Sequence, residues 1–236
     1  MPSGTLDAQE LTLLQRNRWL SDCAPELRDY LLAQGRQALL GAGQTLFERG
    51  GAAHDLCCVL EGALRVGALH ADGSLAVLAW LEPGQWFGEI SLIDGLPRTH
   101  DVVAAGATRV WLVPHAALQD WLDAHPQHWR ALARLACMKL RSSFEALEDM
   151  AHLSIEQRLA KRLLLVARGY AQRDAAAPVQ RLRLPQDQLA LMLGVSRQTV
   201  NKALKALAAQ RLLALHYGEI ELLDLAALQS RAQAQA

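Results

Sequence analysis

Between Gly41 and Pro114, glycines recur every few residues and divide the chain into short apolar runs. These are Leu56–Leu60, Ala63–Leu69, Ala76–Leu81 and Arg109–Val113. Each is strand length and too short for a stable helix. Many short strands at even spacing imply a sandwich, a jelly roll or a small barrel. Ala71-Asp72-Gly73-Ser74 reads as a hairpin turn, with Gly73 supplying the positive φ that such a turn needs. This region restricts the chain to an α+β fold.

The flanks read as helices. Over residues 5–40, Leu11, Leu14, Trp19 and Leu20 recur at roughly helical spacing. Pro25 marks a helix start, with Leu27, Tyr30 and Leu31 on one face. After Pro114 a short helix ends at His125-Pro126, and a long one runs from about Gln127 to Met150. Within it Leu140, Ser143, Leu147 and Met150 step by 3, 4 and 3, the spacing of a coiled-coil seam, so the helix is expected to dimerise. Ser143, beside Ser142, puts a hydroxyl into that seam, where it fixes register or touches something polar near the dimer axis. Residues 151–155 form the expected domain joint. Glu156–Tyr170 reads as a basic amphipathic helix, and Arg173–Pro178 as a mobile Ala-rich loop.

Charge names no partner for the chain as a whole, since 24 Lys/Arg balance 24 Asp/Glu. Its distribution does. Residues 1–150 carry 12 Lys/Arg against 18 Asp/Glu, a net of −6; residues 151–236 carry 12 against 6, a net of +6. A basic back half suits a polyanion. Cys23, Cys57, Cys58 and Cys137 form no CxxC and no Cys/His ligand spacing, so no metal or iron–sulfur site is expected. No secretory signal is seen, and no apolar run is long enough to span a bilayer. These points predict a cytoplasmic protein that is not tied to a membrane.

Leu184–Leu204 carries the strongest signal. Pro185 suits a helix start, and Leu189, Ala190 and Leu193 give that helix a buried face. Gly194 sits at a turn, Val195 fills the gap, and Ser196 caps a second helix with Val200, Leu204 and Leu207 facing inward. This is a helix-turn-helix. It leaves Arg197, Gln198, Asn201 and Lys202 outward, where Arg can pair with guanine and Gln or Asn with adenine. Ser196, Thr199 and Lys205 are placed for phosphates. Leu212–Leu223 reads as a two-stranded wing turning near Tyr217-Gly218, with His216 exposed on it.

The segment Gly84-Gln85-Trp86-Phe87-Gly88-Glu89-Ile90-Ser91-Leu92-Ile93-Asp94-Gly95-Leu96-Pro97-Arg98-Thr99 resembles the phosphate-binding cassette of cyclic-nucleotide-binding domains. With the helix-turn-helix, nearly the whole chain resembles the Crp/Fnr family of bacterial transcription regulators. The resemblance implies a jelly-roll sensor domain with N-terminal helices over 1–126, a long dimerisation helix over 127–152 and a winged helix-turn-helix domain over 153–236. Arg98 would neutralise a cyclic phosphate through paired hydrogen bonds. Backbone N–H groups of Gly88, Glu89, Ile90 and Ser91 would face the same anion. Thr99 would donate its hydroxyl, and Glu89 would accept from a ribose 2′-OH. Ser143 falls where family members use a long-helix hydroxyl on the adenine base, flanked by Ser142 and Phe144.

The implied protein is not an enzyme and needs no cofactor or metal. It is a homodimer that binds a pseudo-palindromic double-stranded DNA site and works with RNA polymerase under control of cyclic AMP or a related cyclic nucleotide. The alternative is a regulator that binds DNA without a nucleotide or with cyclic di-GMP. Two departures stand out. His100 lies where cyclic-nucleotide binders often carry a small residue, and Gln198 lies where the cyclic-AMP regulators usually carry Glu, so the half-site read would differ. A cupin-like enzyme would need clustered ligands, but His54, His70, His100 and His115 are scattered singly.

Overall fold

The computed structural model describes residues 5–52, 55–70, 72–173 and 178–233. Three helices open the chain: α1 (Ala8–Gln15), α2 (Arg18–Ser21) and α3 (Pro25–Ala33). Eight strands follow, β1 (Arg36–Leu40), β2 (Thr45–Phe47), β3 (Leu56–Glu61), β4 (Leu64–Leu69), β5 (Leu75–Leu81), β6 (Trp86–Phe87), β7 (Asp101–Ala104) and β8 (Thr108–Val113). The short helix α4 (Glu89–Asp94) lies between β6 and β7. The strands form two antiparallel four-stranded sheets, ordered β1-β8-β3-β6 and β2-β7-β4-β5. This is the jelly roll expected from the glycine-punctuated runs.

The unbroken apolar run of β3 has a physical cause: both of its faces are covered. Cys57 and Val59 point into the roll with Leu64, Val110 and Leu112. Leu56, Cys58 and Leu60 point the other way, packing with Trp86 and Trp111 of neighbouring strands against Trp19 and Leu27 of the helical layer. Successive strand residues face opposite sides, so a strand buried twice shows no polar alternation. One expectation fails here. Helix was read through residue 40, but Arg36–Leu40 is a strand, paired residue by residue from Arg36↔Leu112 to Leu40↔Thr108. Gly35 lets it approach, since a Cβ there would sit 2.1 Å from Trp111 Cε2.

α5 (His115–Ala124) and a 3-10 turn (Pro126–His128) lead into the long α6 (Trp129–His152). At the joint Leu153 is extended and Ser154 caps α7 (Ile155–Ala167) in a capping box with Gln157. The expected helix to Tyr170 stops short, because Gly169, Tyr170 and Ala171 all take positive φ (56°, 54° and 67°). Of the loop expected over 173–178, residues 174–177 lie outside the described residues. Arg173 itself is paired with Glu82.

The rest comprises β9 (Arg181–Leu182), α8 (Gln186–Leu193), α9 (Arg197–Ala209), β10 (Leu213–His216), β11 (Glu219–Leu222) and α10 (Leu225–Gln233). The wing gains a third strand, in the order β10-β11-β9. Pro185 is the cap before α8 rather than part of its first turn. The buried residues of this half and those inside the roll form one continuous apolar cluster, from Val59 and Trp80 through Met192 to Leu207.

Candidate ligand cavity and nucleic-acid interface

The roll, α6 and the start of the C-terminal half enclose a cavity of about 440 Å³. Its size and mostly apolar lining suit a small organic ligand. The eight residues expected to hold a ligand all line it: Gly88, Glu89, Ile90, Ser91, Arg98, Thr99, Ser142 and Ser143.

Arg98 is buried, with its guanidinium 3.9 Å above the Phe47 ring. Nη1 donates to the Gly88 carbonyl and Nη2 to the Asp55 carbonyl, both at 2.9 Å. It therefore pairs with neither Glu89 nor Asp94. Burial is the main influence drawing its pKa down, opposed by Cys57, Glu89 and Asp55; an arginine so placed stays charged. Gly88 is required twice over. Its φ is +96°, and a Cβ would lie 2.9 Å from the Asp55 carbonyl and 3.1 Å from Arg98 Nη1.

Glu89 starts α4 and is 1% exposed. Its Oε2 accepts from Lys139 Nζ of α6 at 2.6 Å. Two buried polar atoms of this wall have no hydrogen-bond partner, Glu89 Oε1 and Arg98 Nε. Orphaned groups of this kind are costly in a folded protein, and each calls for an explanation such as a water, an ion or a ligand. Thr99 is exposed, its hydroxyl 2.9 Å from His100 Nδ1. Ser142 and Ser143 donate back to the Met138 and Lys139 carbonyls, so each hydroxyl oxygen remains free to accept. Phe144 does not line the cavity. It is 60% exposed, on an apolar stripe of α6 with Leu140, Leu147 and Met150, of which Leu147 and Met150 also reach the cavity. Sequence reasoning missed Lys139, one turn before Ser143, and also missed Arg162, Tyr170, Gln172 and Met192, which the C-terminal half contributes to the same wall.

The second candidate site is the helix pair. Gly194 closes α8 in the left-handed region, and the Ser196 hydroxyl accepts from the Thr199 amide to cap α9. Val200, Ala203, Leu204 and Leu207 bury one face of α9. Arg197, Gln198, Lys202 and Lys205 are exposed on the other, and Ser196 is exposed at its start. Three of the expected contact residues are already engaged. Asn201 donates to Gln186 Oε1 at 3.0 Å, and the Thr199 and Ser196 hydroxyls lie 2.8 Å apart. At the wing His216 pairs with Glu221 at 2.8 Å, and Tyr217 stands fully exposed at the tip. Among the described residues there is no group of three side chains suited to a metal ion, and no helix is long and apolar enough to cross a membrane.

Residues 39–125 match the model of the cyclic nucleotide-binding domain, and residues 157–231 match the Crp-like helix-turn-helix domain. The CRP-like cAMP-activated global transcriptional regulator of Mycobacterium tuberculosis is 30% identical over 162 residues, 69% of this chain and 72% of that one. The chain belongs to the Crp/Fnr family of transcription regulators. As a member of that family it is a ligand-responsive DNA-binding regulator rather than an enzyme. The cyclic AMP receptor protein of Thermus thermophilus is 29% identical over 206 residues, 87% of this chain and 92% of its own length. The structure of FixK2 from Bradyrhizobium japonicum shares the fold, with a TM-score of 0.73 at 22% identity over 86% of this chain and 99% of that one.

Proposed function

We propose that this Crp/Fnr regulator is a cytoplasmic homodimer that binds cyclic AMP, or a closely related cyclic nucleotide, in the cavity beside Arg98. The observation that carries this reading is that two orphaned polar atoms, Arg98 Nε and Glu89 Oε1, belong to residues in the wall of one cavity. A cyclic phosphate diester offers acceptors to Arg98 and to the backbone amides at the start of α4, and a ribose hydroxyl offers a donor to Glu89. Ser142 and Ser143 then meet the base. The cAMP-activated relative of Mycobacterium tuberculosis and the cyclic AMP receptor protein of Thermus thermophilus support the same ligand.

In this reading residues 1–126 sense, 127–152 dimerise and 153–236 bind DNA. The bare stripe of α6 is covered by a second copy. Two α9 helices, held about 34 Å apart, enter successive major grooves of a pseudo-palindromic site. Arg197, Gln198, Asn201 and Lys202 meet base edges, Ser196, Thr199 and Lys205 meet phosphates, and the bound dimer works with RNA polymerase.

The test is Arg98→Ala in a DNA-binding assay titrated with cyclic AMP. Loss of a charged hydrogen-bonding group predicts roughly 10- to 100-fold weaker response to the nucleotide. A mutant that responds like wild type removes the pocket assignment. One observation favours a second reading, DNA binding without a nucleotide: both Nη groups of Arg98 already donate to carbonyls. Calorimetry with cyclic AMP, cyclic GMP and cyclic di-GMP separates the two.

A further inference from the structure

Helix α7 gathers its cations on one side. Arg158, Lys161 and Arg162, with Arg168 at its C-cap, recur at helical spacing and line a groove against α6. Arg141 of α6 joins them. The groove has a volume of about 640 Å³, and Met192 and Leu193 of α8 with Gln229 and Gln233 of α10 complete its wall. Its five cations face two carboxylates, Glu145 and Asp149.

The pairing is uneven. Lys161 bonds to Asp149, but none of the four arginines meets a carboxylate among the described residues. Arg158 Nη2 donates to the Leu193 carbonyl at 2.6 Å, and Arg162 Nη1 to the Leu78 carbonyl at 3.4 Å. Arg168 Nη2 donates to Gln229 Oε1 at 2.9 Å. Arg141 has no partner among the described residues. A guanidinium carries five N–H donors, so most of these donors remain open. Like charges four residues apart, as Arg158 and Arg162 are, destabilise a helix. Arg158, Arg162 and Arg168 are also half-buried, where repulsion is screened less than in open solvent. An anion among them offsets that cost.

The groove is separate from the surfaces described so far. It contains no residue of α9, and Leu140, Phe144 and Leu147 of the apolar stripe lie off it. A duplex read by α9 and a second copy seated on the stripe both leave it open. It adjoins the Arg98 cavity and shares Ser142, Arg162 and Met192 with it, but Arg98, Glu89 and Thr99 are not part of it.

We propose that this groove is a second ligand site, which takes a nucleoside polyphosphate. Guanidinium forks match the geometry of phosphate oxygens. Four of them suit a chain of phosphates, whereas a cyclic nucleotide carries a single charge. The rest of the lining is largely apolar, with Met138, Met150, Leu164, Leu165 and Met192. Methionine adapts its shape to a planar ring, which gives the base a place. The volume falls within the range of roughly 300–1,000 Å³ usual for small-ligand sites. None of this depends on what the Arg98 cavity binds.

The test is calorimetry on the full-length protein with magnesium-free ATP, GTP and inorganic tripolyphosphate. ATP or GTP should bind at least about tenfold more tightly than tripolyphosphate. Arg141→Ala, which removes no hydrogen bond of the folded chain, and Arg168→Gln should each weaken that binding about tenfold or more. Arg98→Ala should leave it unchanged. No binding to wild type, or binding kept in full by both groove variants, overturns the site. Loss in Arg98→Ala instead moves the ligand into the cavity and overturns it as well. Tripolyphosphate binding as tightly as ATP overturns the nucleoside assignment. If Arg141→Ala weakens a duplex selected by wild type and leaves ATP unaffected, the arginines serve DNA phosphates and the proposal falls.

Discussion

A buried carboxylate must be given a partner or lose its charge. Glu89 receives one from Lys139, which is a quarter exposed while Glu89 is almost wholly covered. Removing one member of a buried pair leaves the other uncompensated and costs about 3–5 kcal/mol. Lys139→Met should therefore lower unfolding stability by about 3 kcal/mol, the low end because Lys139 keeps some solvent. The double variant Lys139→Met/Glu89→Gln should recover most of it. Equal losses in the single and double variants, measured by urea denaturation, would show that the pair does not matter. Glu89 and Arg98 were legible in the sequence because their spacing within one cassette is local. Lys139 and Tyr170 were not, because their partners lie 50 and 90 residues away. No periodicity encodes a pairing at that distance.

Helix α6 shows what an element can and cannot reveal. Its seam spacing was visible, and Leu140, Phe144, Leu147 and Met150 stand between 51% and 64% exposed. A stripe of that kind on a long helix is expected to be covered by another copy. Leu147→Asp should turn the dimer into a monomer in sedimentation velocity while leaving the helix content intact by circular dichroism. A variant that remains dimeric would place the interface elsewhere. β1 was misread for the opposite reason. It is five residues long and carries no alternation, with burial running exposed, half-buried, half-buried, exposed, buried. Only its ladder with β8, some seventy residues on, makes it a strand.

At the scale of the molecule, the basic half was readable from composition, and the structure leaves Arg197, Gln198, Lys202 and Lys205 exposed on one helix. Arg197→Ala should cost about 1–3 kcal/mol on the specific site and much less on random duplex, as measured by titration at fixed salt. A loss of the same size on both would make Arg197 a phosphate contact. What sequence could not convey is how the two halves meet. Patterns of apolar residues name a buried face without naming what buries it, so the packing of Tyr170, Met192 and their neighbours on the roll had no signature.

The apolar cluster shared by the two halves makes them poor interchangeable parts. A chimera that borrowed its recognition helix from a relative, cut at the joint near Leu153, would also import a stranger's cavity wall. Altering which DNA such a protein reads, by transplanting a domain, would thereby alter which signal it obeys; changing α9 alone leaves that bargain undisturbed.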